Sequence, residues 1–237
     1  MSSSYFTTTT TVTTTTALPP TMTLPEILSI LHSPALMLTI NPLLKSATPL
    51  PTPAIHAFYK SVPASLKPTS ASAIAEIPVY ACVETSAPQG QGSSTGGKGE
   101  GGAEEQSQAT WRGGWSKRFI PDEIVYETSM QRTPSGMIAI TQAPMGVHSV
   151  TTWKVTSKGK DGSGNECVLE KEGRVTSNKM LMSFIKTTLQ GSYDKLAKDF
   201  VAMLMRELEK KKGEGDKAKE KESVGEPASG EQVEVEA

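Results

Sequence analysis

The stretch SNKMLMSFIKTTLQGSYDKLAKDFVAMLMRELEKKK, residues 177 to 212, has the spacing of one long amphipathic helix. The residues of its apolar stripe are Leu181, Ile185, Leu189, Tyr193, Leu196, Phe200, Met203 and Leu204, broadened by Phe184 and Val201. Lysines occupy mostly the opposite side, and Ser177 or Asn178 is available as the N-cap. Such a helix is longer than a small sheet is wide, so we expect its last turns to project.

Upstream of this helix the apolar period changes to two, which predicts strands. The strand candidates are KSATPL (45–50), AIHAFYKSV (54–62), IPVYACVET (77–85), EIVYETSMQ (123–131), GMIAITQAP (136–144), VHSVTTWKV (147–155) and NECVLEKEGRV (165–175). Turn-like joints such as RTPSG and APMG separate the later ones. The short spacing leaves no room for crossover helices, so we expect about six strands in an antiparallel meander.

The N-terminal stretch YFTTTTTVTTTT, residues 5 to 16, contains nine threonines and no charge. It lacks the basic and apolar regions of a secretory signal, which argues against a glycosylated stalk. Thr is β-branched and favours extended backbone, so we predict a first strand, with a disordered leader as the alternative. One or two short helices follow: TLPEILSILHSP (23–34), with Thr23 and Glu26 in capping-box spacing, and PALMLTINPLL (34–44).

Two segments have too little apolar character to pack. Residues 86–109 form a Gly-rich insertion, and residues 213–237 form a charged tail; both are predicted to be disordered. The remainder of 1–212 is expected to be a single domain.

Composition excludes several classes of function. A formal net charge of −1 gives no reason to expect a nucleic acid partner, and no segment approaches the length of a membrane helix. The two cysteines, Cys82 and Cys167, form neither a metal-like spacing nor a disulfide framework, which suggests buried thiols in a reducing, cytoplasmic setting. The histidines His32, His56 and His148 have no metal spacing, so no metal or cofactor is expected.

The order of elements therefore predicts an α+β fold. A curved antiparallel sheet has one apolar face that needs cover, and the C-terminal helix is the only element long enough to supply it. This is the helix-grip arrangement, in which a sheet wraps around a long helix and often leaves a cavity between them.

The segment LEKEGRVTSNKMLMSFIKTTLQGSYDKLAKDF (169–200) resembles a family of uncharacterised fungal proteins with a START-like domain. INPLL (40–44), TQAPMGVHSVTTWKV (141–155) and the N-terminal Phe-Thr-Thr are also similar to that family. Ser177 departs from the family, whose members often have Cys before Asn178. The resemblance implies the START and polyketide-cyclase-like fold, whose members commonly hold hydrophobic ligands between sheet and helix, and it implies no activity and no catalytic residues.

The function expected from this fold is non-catalytic binding or carriage of a hydrophobic small molecule or lipid. The residues predicted to line the cavity are Trp111, Trp115, Ile140, Trp153, Leu181, Phe184, Ile185, Thr188 and Leu189. Core packing is the alternative interpretation of the tryptophans and of the helix stripe. Two other functions stay open: a cochaperone-like module that binds a protein partner, and a cyclase-type enzyme using Tyr80, His148 or Arg174.

Overall fold

The computed structural model describes residues 7–85, 123–157 and 166–223, and it describes only the backbone of Phe184 and of residues 212–223. The strands are β1 (Thr7–Ala17), β2 (Leu44–Pro49), β3 (Val79–Thr85), β4 (Glu123–Thr133), β5 (Gly136–Ala143), β6 (Val147–Ser157) and β7 (Cys167–Asn178). The α-helices are α1 (Leu24–Leu31), α2 (Pro34–Thr39), α3 (Thr52–Ser61), α4 (Ala71–Glu76) and α5 (Lys179–Ser223). Single 3-10 turns lie at Ala64–Leu66 and Pro144–Gly146.

The seven strands form one curved antiparallel sheet in the order β1-β7-β6-β5-β4-β3-β2. β1 pairs with β7 from Thr7 opposite Asn178 to Ala17 opposite Val168. The threonine run is therefore a strand, as its composition predicts. Together with the long helix that follows β7, this sheet confirms the predicted helix-grip arrangement of an antiparallel sheet and a long C-terminal helix.

Helix α5 covers one face of the sheet, which we name the inner face. Asn178 caps the helix, because its side-chain Oδ1 accepts a hydrogen bond from the backbone N–H of Leu181 at 2.8 Å. The ring of Phe200 on α5 packs edge-on against Trp153 on β6, with 5.5 Å between the ring centroids. Ile27 and Leu31 of α1 are fully buried in the same cluster. The middle of α5 (residues 196–208), α1 and the inner face thus form the main core.

Hydrogen bonds fix α1 against its neighbours. The carboxylate of Glu26 accepts from the backbone N–H and the hydroxyl of Thr23, both at 2.9 Å, which caps the helix start as the spacing predicts. At the other end, His32 Nε2 donates to the carbonyl oxygen of Gly136 at 2.8 Å. One of the three scattered histidines is therefore a structural link between α1 and β5.

Helices α3 and α4 lie on the opposite, outer face of the sheet. The prediction of a strand at AIHAFYKSV (54–62) is wrong, because residues 52–61 form α3. A proline in the first turn suits a helix start, and the apolar residues have helical spacing onto the sheet. They are Ile55, Phe58, Tyr59 and Val62, which form a second buried cluster with Val79 and Ile140.

The C-terminal helix continues through Ser223, past the predicted domain boundary at residue 212. Its 45 residues rise about 1.5 Å each and therefore exceed the length of any strand in the sheet. The predicted disorder of residues 86–109 and of 224–237 falls outside the described residues. The single-domain assignment stays a prediction.

Two glycines give a matched test of this packing. A Cβ at Gly173 on β7 would lie 2.1 Å from the ring of Tyr193 on α5, whereas a Cβ at Gly191 on the same helix would meet nothing within 4 Å. We expect Gly173→Ala to destabilise the protein by about 2 kcal/mol, because the ring or the helix must move. Gly191→Ala should stabilise it by about 1 kcal/mol, because alanine is the better helix former. Urea unfolding measures both; equal stabilities would contradict the observed seat of α5 on β7.

Candidate functional site

Side-chain size changes along the inner face. One row of directly paired residues on β1, β7, β6 and β5 consists of Thr14, Lys171, Trp153 and Met137. Lys171, Trp153 and Met137 are all buried, and the two apolar ones belong to the main core. Large side chains therefore fill the space between sheet and helix at this end.

A second row, closer to the start of α5, has small side chains on β1, β7, β6, β5 and β4 and ends at a tyrosine on β3. We name it the hydroxyl row, and it consists of Thr10, Val175, Ser149, Thr141, Thr128 and Tyr80. The hydroxyls of Thr128 and Thr141 hydrogen-bond each other at 3.0 Å. Where the first row has Lys, Trp and Met, this row has Val, Ser and Thr. The sheet therefore contributes less side-chain volume here than in the main core.

The helix residues above the hydroxyl row come from the first turns of α5. A helix rises about 1.5 Å per residue and a strand about 3.3 Å, so a helix running back along β7 reaches Val175 near Ile185. On the β1 side of the helix, Gln190 donates to the carbonyl oxygen of Thr13 at 3.4 Å. Leu181, Ile185 and Thr188 are rotated about 140° to 180° from Gln190, at 100° per residue. They lie on the flank away from β1, and each is partly exposed.

A lysine of the first row is buried at its boundary with the hydroxyl row. Lys171 is 1% exposed, and its Nζ lies 3.9 Å from the centroid of the Tyr193 ring and 4.9 Å from that of Trp153. Nζ donates to the backbone oxygen of Tyr193 at 3.2 Å. The Tyr193 hydroxyl in turn hydrogen-bonds Thr151 at 2.8 Å. Lys171 thus links β7 to the middle of α5.

Burial dominates the electrostatics of this lysine. It lowers the pKa of Lys171 to about 7, against a smaller opposing effect of the Asp194 carboxylate. The two aromatic rings favour the charged form, but no carboxylate in the described part of the chain forms an ion pair with it. The hydroxyl of Thr14, its cross-strand neighbour, is buried without a hydrogen-bond partner among the described residues.

A polar cluster lies on the inner face of β3 and β4, beyond the hydroxyl row. The carboxylate of Glu84 accepts hydrogen bonds from the hydroxyl of Tyr126, at 2.6 Å, and from the side-chain amide of Asn41. Asn41 also accepts from the backbone N–H of Leu43 at 3.0 Å, which ties the turn after α2 to this cluster. Cys82, directly opposite Tyr126, is fully buried.

The structure separates the residues that the sequence predicts as cavity lining. Leu181, Ile185, Thr188 and Leu189 lie on the first turns of α5, and Trp153 packs in the main core. Ile140 is buried on the outer face with α3, because neighbouring residues of β5 alternate between the two clusters. Trp111 and Trp115 lie outside the described residues, as does the side chain of Phe184.

The candidates for catalysis are also divided between the faces. Tyr80 lies on the inner face, whereas His148 and Arg174 are exposed residues of the outer face. Sequence reasoning missed Lys171, although its signal is present: a lysine stands in an apolar phase of β7, between Leu169 and Val175. Within the described ranges, no group of three His, Cys, Asp or Glu side chains could hold a metal ion.

Both cysteines are buried and free, as their spacing predicts. Among the helices of the described chain, none combines the length and apolar character needed to span a bilayer.

Comparison with known proteins identifies a matching family of unknown function. Residues 105–206, less than half of the chain, match "Domain of unknown function (DUF7053)", and this range contains the whole segment 169–200 that carries the resemblance described above. No curated protein gives a significant match. The fungal part of the resemblance stays a prediction.

Solved structures of norcoclaurine synthase match this chain at low sequence identity. Truncated norcoclaurine synthase from Thalictrum flavum has a TM-score of 0.46 at 9% identity, over 85% of this chain and 97% of that one. The same enzyme in complex with dopamine and hydroxybenzaldehyde has a TM-score of 0.44 at 10% identity, over 84% of this chain and 88% of that one. At this level the likeness says nothing about activity or ligand.

Lys171 makes the free energy of unfolding depend on pH. Its folded pKa of about 7 lies below the ordinary value of 10.5, so the unfolded chain binds more protons between those values. Stability should therefore rise from pH 7 towards pH 10 and lose this contribution as the pH falls to 7. We expect Lys171→Met to reduce the rise measured by urea unfolding between pH 7 and pH 9.5, by about 2 kcal/mol. The exposed Lys154→Met is the control, and parallel pH profiles for wild type and Lys171→Met would contradict the assignment.

Proposed function

We propose that this protein binds a small molecule with an extended apolar part, without catalysis, between the first turns of α5 and the hydroxyl row. The observation that carries the proposal is the contrast in side-chain size between two rows on the same strands. Lys171, Trp153 and Met137 contribute large side chains under one part of the helix, whereas Val175, Ser149 and Thr141 contribute small ones under its first turns, where the helix buries Met182.

The helix flank above the row has the chemistry of a binding surface. Leu181 and Ile185 are apolar yet partly exposed, whereas Phe200, Met203 and Leu204 farther along the same helix are buried in the core. An apolar ligand placed against them removes this surface from water. Hydroxyl groups opposite them supply the few polar contacts that orient a ligand in such a site.

One buried polar atom also fits a ligand or a bound water. The hydroxyl of Ser177, next to the start of α5, is fully buried and has no hydrogen-bond partner among the described residues. A buried hydroxyl without a partner costs about 1 to 3 kcal/mol, so a polar group supplied from outside the protein would stabilise it.

Magnitudes limit what apolar contact alone can achieve. Each buried methylene contributes about 0.8 kcal/mol, so a ten-carbon chain gains about 8 kcal/mol. Association costs at least about 4 kcal/mol of lost freedom. The remainder corresponds to weak binding, near millimolar, unless polar groups add to it. We therefore expect the natural ligand to be amphipathic rather than a pure hydrocarbon.

The setting belongs to the proposal as well. Buried, unpaired Cys82 and Cys167 support a reducing compartment such as the cytoplasm. The two other functions considered from the sequence have less support. Exposure of His148 and Arg174 on the outer face removes two of the three residues suggested for an enzyme, and no described contact favours a protein partner.

Filling the space above the hydroxyl row tests the proposal. Ser149 on β6 lies in the row, whereas Thr152 on the same strand is exposed on the outer face. We expect the neutral apolar dye Nile red to bind the wild-type protein saturably, and Ser149→Phe to weaken this binding at least tenfold because the ring occupies the ligand's place. Thr152→Phe, the matched control, should leave binding unchanged.

Fluorescence titration measures the dye, and mass spectrometry of organic extracts looks for a co-purifying ligand. Absence of saturable binding, or equal affinities of the two phenylalanine variants, would contradict a site above this row.

A further inference from the structure

The cluster around Glu84 lies beside the proposed site and has a charge that the fold does not balance. Glu84 follows Tyr80 and Cys82 on the inner face of β3, and Tyr80 ends the hydroxyl row. Tyr126, which donates to the Glu84 carboxylate, is the next inner-face residue of β4 after Thr128 of that row. From Ser149 to Tyr126 is a step of two strands and two residues, about 12 Å.

Within the described ranges, no ion pair includes Glu84. Lys45, the basic residue nearest to it in the β2–β3 pairing, forms an ion pair with Glu123 at 2.5 Å instead. No lysine, arginine or histidine nitrogen of the described chain lies within 4.0 Å of the Glu84 carboxylate. A partly buried carboxylate without a cation nearby is a strong acceptor for a charged donor.

The groups that touch the carboxylate are neutral. Burial, and next the negative charge of Glu84, raise the pKa of Tyr126 far above neutral pH, so its hydroxyl stays a donor. Burial likewise raises the pKa of the Cys82 thiol to about 11. Asn41 contributes an uncharged amide. Tyr126 and Asn41 orient the carboxylate, and neither they nor the nearby Cys82 neutralise it.

We infer that Glu84 is the head-group site of the proposed binding groove, and that it recognises a protonated amine at one end of an amphipathic ligand. The inference rests on the proposed function and adds the chemical class of the ligand. The ammonium group would hydrogen-bond Glu84, while the apolar part would extend across the hydroxyl row towards Ile185. A charge-assisted hydrogen bond of this kind contributes more than a neutral one.

A purely structural role is the competing explanation, since the cluster also ties the turn after α2 to β3 and β4. Glu84→Gln separates the two roles, because the amide oxygen of glutamine still accepts from Tyr126 and Asn41 while the charge is lost. Tyr126→Phe makes the converse change: it removes one donor and keeps the carboxylate. Glu127→Gln, on β4 but on the outer face, is the matched control for the loss of a negative charge.

The test compares three probes with the same chain and different head groups: decylamine and decanoic acid, each below its micellar concentration, and decan-1-ol below its solubility limit. Their affinities are measured by displacement of Nile red from the full-length protein. Wild type should bind decylamine about tenfold more tightly than decanol, and decanoic acid most weakly. Glu84→Gln should abolish the preference for the amine and retain the affinity for decanol, whereas Tyr126→Phe and Glu127→Gln should keep the preference.

Each outcome bears on a different statement. Equal affinities of wild type for the amine and the alcohol, or a preference that survives Glu84→Gln, would overturn the assignment of Glu84 and leave the binding groove in place. If none of the three probes displaces the dye or binds, the groove itself is wrong, and the head-group site fails with it. Urea unfolding of each variant checks that a lost preference does not come from a lost fold.

Discussion

β1 hydrogen-bonds to β7 over its whole length, and this pairing positions everything that follows. β7 leads directly into α5 through the Asn178 cap, so the strand that fixes the sheet edge also fixes where the helix begins. The helix then runs back along β7 and its partner β1. Threonine suits β1 because alternate residues face the helix and the solvent, and a β-branched side chain with a hydroxyl is tolerated in both environments.

The pairing of β1 with β7 also divides the inner face into a packed core and a candidate site. The helix lies closest to β1 and β7. Farther along the sheet the gap must be filled by side chains, and Trp153, Met137 and Phe200 do this at one end. At the other end the same strands present Ser149 and Thr141. The same strands therefore contribute to both the core and the candidate site. Residue size at equivalent positions decides which of the two forms. Lys171, under the ring of Tyr193, lies at the boundary between the core and the candidate site.

The periodicity of the sequence was sufficient for most elements. The 3.6-residue stripe of α5, the threonine strand and the alternation of IPVYACVET correspond to observed structure. Helix α3 was missed because a short apolar run of mixed residues fits both periods, and its tertiary partner on the outer face decides between them. α4 was missed too, since six small and polar residues carry little pattern.

Residue-level function was harder to predict, for a physical reason. Alternation shows which residues of a strand share a face, but it does not show which face meets the helix. Ile140 was therefore placed in the cavity although it packs against α3. Where both faces of a strand are covered, as in Met137, Ile138 and Ala139, hydropathy holds no information about direction.

That ambiguity would also affect the folding chain if hydropathy alone aligned β5, because a slip by one residue would exchange one set of apolar side chains for another. Gly136 prevents it. A Cβ at that position would lie 1.8 Å from the backbone oxygen of Trp153, so neither Ser135 nor Met137 can replace it there. The absence of a side chain at Gly136 thus fixes the register of the β5–β6 hairpin. This register determines which side chains, and which polar groups, lie beneath the helix.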